Sequence, residues 1–194
     1  MTLLIAGLIL FLGMHLVPTV PVLRDRWRAS LGEGGYKGMF ALVSAVGLVL
    51  IVYGFSQRTI IPIWTPPEIM RHITFLLMLP VFILLAAAYI PSRIHTLAKH
   101  PMLLAIKFWA VAHLLVNGDL AGIILFGSFL AYAIYDRISV KRRAALGPLG
   151  TRTGGPGGDI AAVAIGLALY AFMIVWGHPN LIGIPLLPNA TTPF

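Results

Sequence analysis

The chain has 194 residues, of which 59% are hydrophobic and only 10% charged, and its mean hydropathy is +0.92. Soluble proteins carry roughly 25% charged residues, and a domain of this length could not bury so much apolar surface. The composition therefore excludes an ordinary soluble enzyme and predicts an integral membrane protein. The length suits a single domain over residues 1–194.

The sequence contains no cysteine. Disulfides, thiolate metal sites, iron–sulfur clusters and cysteine nucleophiles are therefore excluded, and the six histidines become the main candidates for metal or proton chemistry. We do not expect a cleavable signal peptide, because the first apolar stretch begins without basic residues and runs on with no A-x-A site.

Apolar stretches of membrane-spanning length recur along the whole chain. A hydrocarbon core about 30 Å thick requires roughly 20 helical residues. The sequence therefore predicts an all-α, polytopic membrane protein, a bundle of six transmembrane helices near residues 2–22, 38–56, 72–90, 101–117, 120–136 and 159–178. Between the fourth and fifth helices we expect Gly118 to end one helix and Asp119 to cap the next. The alternative is one helix over 101–136, which would exceed the bilayer thickness.

The basic residues are distributed unevenly among the loops. The chain has 14 Lys and Arg against 6 Asp and Glu, and all the basic residues except Arg58 and Arg71 lie in or beside the first, third and fifth loops. The positive-inside rule therefore predicts that these three loops are cytoplasmic and that both termini are periplasmic. The net charge of +8 is explained by topology, so we expect no nucleic-acid partner.

Two segments are predicted to be non-helical from their glycine and proline content. The loop 137–158 ends in GPLGTRTGGPGG and is expected to be a flexible cytoplasmic linker, with Asp159 capping the sixth helix. The proline-rich stretch after His178 is expected to be extended at the outer surface.

Two histidines, His15 and His113, fall within predicted spans. Ionisable side chains at membrane depth are rare and functional by default, whereas the other four histidines lie at helix ends or in loops, where water or headgroups satisfy them. Hydrogen bonds between helices are one explanation for His15 and His113, but such contacts contribute only about 0.6 kcal/mol on average. Imidazole ligates haem iron, and haem fits within a helical bundle. We therefore expect His15 and His113 to be axial haem ligands.

Other residues of these two helices are candidates for supporting roles. Asn117 lies one turn beyond His113 and could orient its imidazole, while Leu8 and Phe11 share a helix face with His15 and could pack a macrocycle. Lys107 could pair with a haem propionate, or extend to the cytoplasmic interface without a ligand.

A basic cluster is predicted at the cytoplasmic start of the fourth helix. It comprises Arg93, His95, Lys99 and His100, and Pro101 occupies the first helical position, where its missing N–H costs nothing. The cluster could bind an anionic headgroup or a soluble anion. The alternative is that it only satisfies the positive-inside rule.

The motif Lys99-His100-Pro101, followed by WAVAHLLVNGD at 109–119 and preceded by Gly13-Met14-His15 on the first helix, resembles the NnrU family over nearly the whole chain. The resemblance implies a bacterial inner-membrane protein linked to nitrite and nitric oxide reduction in denitrification.

The NnrU family is similar to plant 15-cis-zeta-carotene isomerase, a haem b membrane protein. Its two ligand histidines match His15 and His113, and a third histidine matches His100. The resemblance therefore implies haem b as the cofactor, with a redox partner or a small apolar substrate as a partner besides the lipid bilayer. One alternative is a haem-dependent cis–trans isomerase of a carotenoid-like polyene, and a second is an accessory membrane protein without a cofactor.

Overall fold

A computed structural model of the chain describes residues 1–143 and 152–187. Within these ranges the regular structure is helical. A 3₁₀ turn, Val17–Thr19, follows α1, and a π-helix, Met173–Ile182, continues the last α-helix. The α-helices are α1 (Thr2–Leu16), α2 (Pro21–Ser56), α3 (Ile69–Tyr89), α4 (Arg93–Ala98), α5 (Pro101–Leu114), α6 (Leu120–Arg142) and α7 (Pro156–Phe172).

Five helical segments are long and apolar enough to cross a membrane by length and composition: Thr2–Thr19, Pro21–Ser56, Ile69–Tyr89, Leu120–Arg142 and Pro156–Ile182. The sixth apolar helix, α5, has 14 residues and a length of about 21 Å, which is shorter than the hydrocarbon core. The all-α class and the multi-pass character are thus confirmed. The predicted fourth span, 101–117, was too long because α5 already ends at Leu114.

The helices group into two compact units. The first contains α1, α2 and α6, within residues 1–65 and 117–143 of the described chain, and the second contains α3, α4, α5, α7 and the π-helix, within 66–116 and 152–187. The single domain expected over residues 1–194 stays a prediction.

In the first unit, glycines allow the backbones of α1 and α2 to approach closely. A Cβ atom on Gly7 would lie 2.7 Å from the Ile51 nitrogen, and one on Gly47 would lie 2.8 Å from the Phe11 nitrogen. Gly54 faces the backbone of Leu4 in the same way. Small residues at a helix interface permit this packing in membranes. They fix the position of α1, which carries His15.

The first loop predicted from sequence is helical in the structure. Of the predicted spans 2–22 and 38–56, the outer bounds agree with Thr2 and Ser56, but the inner bounds are wrong, because the 3₁₀ turn after α1 ends at Thr19 and α2 already begins at Pro21. A break at Gly32, with φ 71° and ψ 167°, separates the basic first part of α2 from its apolar part. The basic part is helical because Leu23 and Trp27 pack against a buried cluster of Met14, Val17 and Tyr36.

The junction 115–119 interrupts the helical chain and excludes the single helix over 101–136. Asp119 caps α6 as predicted, since its carboxylate accepts a hydrogen bond from the Gly122 nitrogen at 2.9 Å. The prediction for Gly118 is wrong because α5 ends earlier. The Gly118 carbonyl instead accepts hydrogen bonds from the backbone nitrogens of Ile63 and Trp64, at 2.8 and 3.1 Å.

In the second unit, α3 packs against α5 and α7. The start of α7 lies against the turn before α4. The prediction that Asp159 caps α7 is wrong, because α7 begins at Pro156 with Gly155 as its N-cap residue. The Asp159 carboxylate instead accepts a hydrogen bond from the Ile94 nitrogen at 3.1 Å. It thereby joins the first turn of α7 to α4.

Both segments predicted to be non-helical are shorter than expected. The linker prediction of 137–158 is wrong at each end, because α6 continues to Arg142 and α7 begins at Pro156; its residues 144–151 lie outside the described chain. The stretch after His178 is not extended at first, since the π-helix includes Pro179 and continues to Ile182. Residues 188–194 also lie outside the described chain.

Candidate functional site

His15 lies near the end of α1 in the first unit, where its ring is fixed by a backbone carbonyl. Its Nδ1 atom is 2.7 Å from the carbonyl oxygen of Phe11, one turn earlier. A carbonyl oxygen only accepts hydrogen bonds, so Nδ1 carries the proton and the lone pair is on Nε2. This is the tautomer that a metal ligand binding through Nε2 requires.

Three aromatic rings surround the half-buried His15 imidazole. Phe11 stacks on it with a centroid distance of 4.2 Å and an interplanar angle of 25°. Phe40 of α2 lies at 5.0 Å, and Tyr132 of α6 meets it edge-on at 6.0 Å and 85°. The predicted neighbour Phe11 is thus in direct contact, and Leu8 is buried in the same helix. Tyr132 and Phe40 could not be identified from sequence because they lie on other helices.

His113 of α5, in the second unit, has the same local arrangement as His15. Its Nδ1 atom is 2.9 Å from the carbonyl oxygen of Trp109, again one turn earlier, and the two rings lie 5.2 Å apart between centroids. The proton is therefore on Nδ1 and the lone pair on Nε2. Each histidine follows an aromatic residue by four positions, a spacing that is visible in the sequence.

Asn117 does not continue the helix face of His113, because α5 ends at Leu114. The carbonyl of Trp109 is the group that orients Nδ1 of His113, and a role for Asn117 stays a prediction. Lys107 is half-buried on α5, and its pairing with a propionate likewise stays a prediction.

His178, expected at a helix end, lies within the π-helix Met173–Ile182. It interacts electrostatically with His113 in the second unit, and its Nδ1 atom lies 2.7 Å from the carbonyl oxygen of Ile184. π-helical turns are frequent at functional sites. His178 is therefore the natural comparison residue when the role of His113 is tested.

Only part of the predicted basic cluster is accessible at the surface of the protein. His95 is 3% exposed, and its Nδ1 atom lies 2.9 Å from the carbonyl oxygen of Ala87. It is therefore a buried structural residue, contrary to the prediction of a water- or headgroup-exposed one. Lys99 and Arg93 are exposed, and His100 is half-buried at the N-cap position of α5, with Pro101 in the first turn as predicted.

A metal ion and a haem require different sets of donor side chains from the protein. Among the described residues, no group of three or more His, Cys, Asp or Glu side chains could hold a metal ion. Haem iron needs only one or two axial side chains, since the porphyrin supplies its other ligands. The tautomers of His15 and His113 fit that requirement individually, and their aromatic neighbours offer apolar surface for a macrocycle.

The five apolar helices of membrane-spanning length in the described chain define a multi-pass helical membrane protein. Its two carbonyl-bound imidazoles, His15 and His113, are candidate metal ligands. The family model described as "NnrU protein" matches residues 3–186, so the chain belongs to the NnrU family. Comparison with curated proteins gave no match, and neither did comparison with solved structures. Isomerase activity and function without a cofactor stay predictions.

Proposed function

We propose that this protein binds haem b in the bacterial inner membrane, with His15 and His113 as axial ligands, and takes part in nitrite and nitric oxide reduction. The observation that carries the proposal is the shared geometry of the two imidazoles. Each donates from Nδ1 to the carbonyl oxygen of the residue four positions earlier, at 2.7 Å for His15 and 2.9 Å for His113.

Haem b held by two imidazoles would supply one-electron redox chemistry when it is bound. The chain's own residues prepare each imidazole for that role. The carbonyls of Phe11 and Trp109 hold the proton on Nδ1 and raise the basicity of Nε2. The aromatic rings beside each histidine restrict its orientation and exclude water from the ring face.

The orientation in the membrane follows from the charges. We place both termini on the periplasmic side, with α5 as a sixth, shorter crossing. The basic first part of α2, from Pro21 to the break at Gly32, then lies at the cytoplasmic surface, and Arg58 lies near the opposite surface.

An absorption spectrum of the detergent-purified protein, expressed with ample haem, tests haem binding. We expect a Soret band that shifts on reduction. Replacing either ligand, as in His15→Ala or His113→Ala, should shift this band or reduce its intensity severalfold while membrane insertion is retained. A wild-type protein without a Soret band would refute haem binding.

Two further variants test the choice of ligands. His178→Ala removes the histidine that interacts electrostatically with His113, and His72→Ala removes an exposed histidine of α3. Both should keep the wild-type band positions. If His178→Ala changes the spectrum and His15→Ala does not, the assignment of His15 is wrong although haem binding itself stands.

The link to nitrogen-oxide reduction is tested in a denitrifying bacterium that carries this gene. Deletion should slow the consumption of nitrite or nitric oxide under oxygen limitation. The wild-type gene should restore the rate, and the His113→Ala gene should not. Unchanged consumption after deletion would refute this part of the proposal.

A further inference from the structure

Asp136 is a buried carboxylate on a helix long and apolar enough to span a membrane. Asp136 is 7% exposed and lies in the second half of α6. A carboxylate there is costly unless charged or polar groups compensate it, and such residues mark functional sites by default. The role of Asp136 is not explained by the two candidate ligands alone.

Two side chains of the same helix region compensate Asp136. The Arg143 guanidinium lies 3.7 Å from its Oδ1 atom, and the Tyr132 hydroxyl donates a hydrogen bond to its carboxylate. Tyr132 and Asp136 are four residues apart, so they lie on one face of α6. The carboxylate thus connects a cation at the end of the helix to an aromatic ring one turn earlier.

Arg143 also ties this group to the segment that follows α1. Its guanidinium donates to the Pro18 carbonyl oxygen and to the Ser139 hydroxyl, both at 3.1 Å. Pro18 lies three residues after His15, in the 3₁₀ turn. The position of Tyr132 is therefore set relative to the end of the helix that carries His15.

The ring of Tyr132 meets the His15 imidazole edge-on, with 6.0 Å between centroids and an interplanar angle of 85°. The hydrogen bond from Nδ1 to the Phe11 carbonyl fixes one atom of the imidazole. The plane of the ring is restricted by its three aromatic neighbours, which are Phe11 stacked on its face, Phe40 of α2 and Tyr132 at its edge.

We propose that Tyr132 is a positioning residue for His15: the carboxylate of Asp136 and the guanidinium of Arg143 hold its ring in place, and the ring fixes the plane of the His15 imidazole. This inference rests on the proposed function, in which His15 is a haem ligand. It identifies α6 as the element that supports the ligand on α1.

Electron paramagnetic resonance of the ferric holoprotein tests this role, because the g-values of low-spin haem depend on the planes of its axial imidazoles. Tyr132→Leu removes the ring contact and should shift the g-values while a Soret band persists. Loss of groups that orient a metal ligand lowers affinity 10–100-fold, and we expect a loss of about tenfold in haem affinity.

Conservative and matched variants separate positioning from a general structural effect. Asp136→Asn retains an acceptor for the Tyr132 hydroxyl and should keep the g-values close to those of the wild type. Tyr132→Phe retains the ring but loses the hydroxyl that anchors it, and should give a smaller shift than Tyr132→Leu. Tyr135→Leu is the matched control. The Tyr135 hydroxyl lies 3.4 Å from Thr19 Oγ1, and this variant should leave the g-values unchanged.

The haem-free protein provides an independent readout, which keeps this inference separable from the proposed function. In protein labelled with isotopic histidine, NMR should show one defined His15 ring environment that Tyr132→Leu shifts or broadens and Tyr135→Leu does not. If Tyr132→Leu does not fold, the same two measurements on Tyr132→Phe test the inference. Unchanged g-values and unchanged His15 resonances would overturn the inference. Absence of haem from the wild type would instead refute the proposed function.

Discussion

The Nε atom of Arg58 lies 3.5 Å from the Oδ1 atom of Asp119, and the two side chains are only 15% and 11% exposed. The same carboxylate accepts the hydrogen bond from the Gly122 nitrogen that caps α6. The guanidinium also lies over the Phe55 ring, 3.8 Å from its centroid. Asp119 therefore begins a helix and neutralises a largely buried cation at the same point of the first unit.

Replacing Asp119 by alanine should destabilise the protein strongly. Removing one partner of a buried ion pair costs about 3–5 kcal/mol, and loss of an N-cap costs about 1 kcal/mol. Asp119→Asn keeps the cap but not the charge, so its unfolding midpoint should fall between those of wild type and Asp119→Ala. Thermal unfolding in detergent measures this order. Equal midpoints for Asp119→Ala and wild type would contradict it.

The close approach of α1 and α2 predicts that Gly54→Ala is destabilising. An added Cβ would overlap the backbone of Leu4, and overpacking typically costs about 1–3 kcal/mol. Gly38→Ala is the matched control in the same helix, because its Cβ would meet nothing within 4 Å. Thermal unfolding should show a lower midpoint for Gly54→Ala and an unchanged or higher one for Gly38→Ala. The reverse order would show that the two helices do not pack at these glycines.

Adjacent glycines at the start of α7 should respond in opposite ways. A Cβ atom on Gly158 would overlap the Pro91 carbonyl, whereas one on Gly157 would meet nothing within 4 Å. Gly158→Ala should therefore lower the unfolding midpoint. Gly157→Ala should raise it slightly, because alanine favours a helix over glycine by up to about 1 kcal/mol. Similar shifts for both variants would argue against this contact between α7 and the turn before α4.

The absence of native cysteine makes the proposed orientation directly testable by single substitutions. Ser30→Cys lies in the basic part of α2 and should be protected from a membrane-impermeant maleimide in intact cells. Thr59→Cys lies in the following loop and should be labelled. Both positions are exposed, and both cysteines should react after the cells are lysed. If only Ser30→Cys were labelled in intact cells, the orientation would be the opposite of the proposed one.

Local chemistry made several features of the fold predictable. Asp119 caps α6, and Pro101 opens α5, because capping and proline geometry act within one turn. The bounds around residue 20 were not predictable in this way. Arg24, Arg26 and Arg28 suggest a loop by their charge, but Leu23 and Trp27 form a helix there by packing against Met14, Val17 and Tyr36.

In the candidate site, too, local features could be predicted from the sequence and contacts between distant segments could not. His15 and His113 could be selected from sequence because an imidazole within an apolar span is conspicuous, and their carbonyl partners are only four residues away. Tyr132 and Asp136 could not be connected to His15, since more than a hundred residues separate them along the chain.

The composition and the positions of the apolar segments along the chain determined by themselves that this is an all-helical membrane protein. The transfer of an apolar helix into a bilayer depends on that segment alone. Tertiary structure alone decided that α1 and α2 meet through Gly7, Gly47 and Gly54, and that α6 brings a carboxylate-bound tyrosine to the edge of His15. Such contacts depend on which helix surfaces pack together, and that choice is made by shape and hydrogen bonding between distant segments.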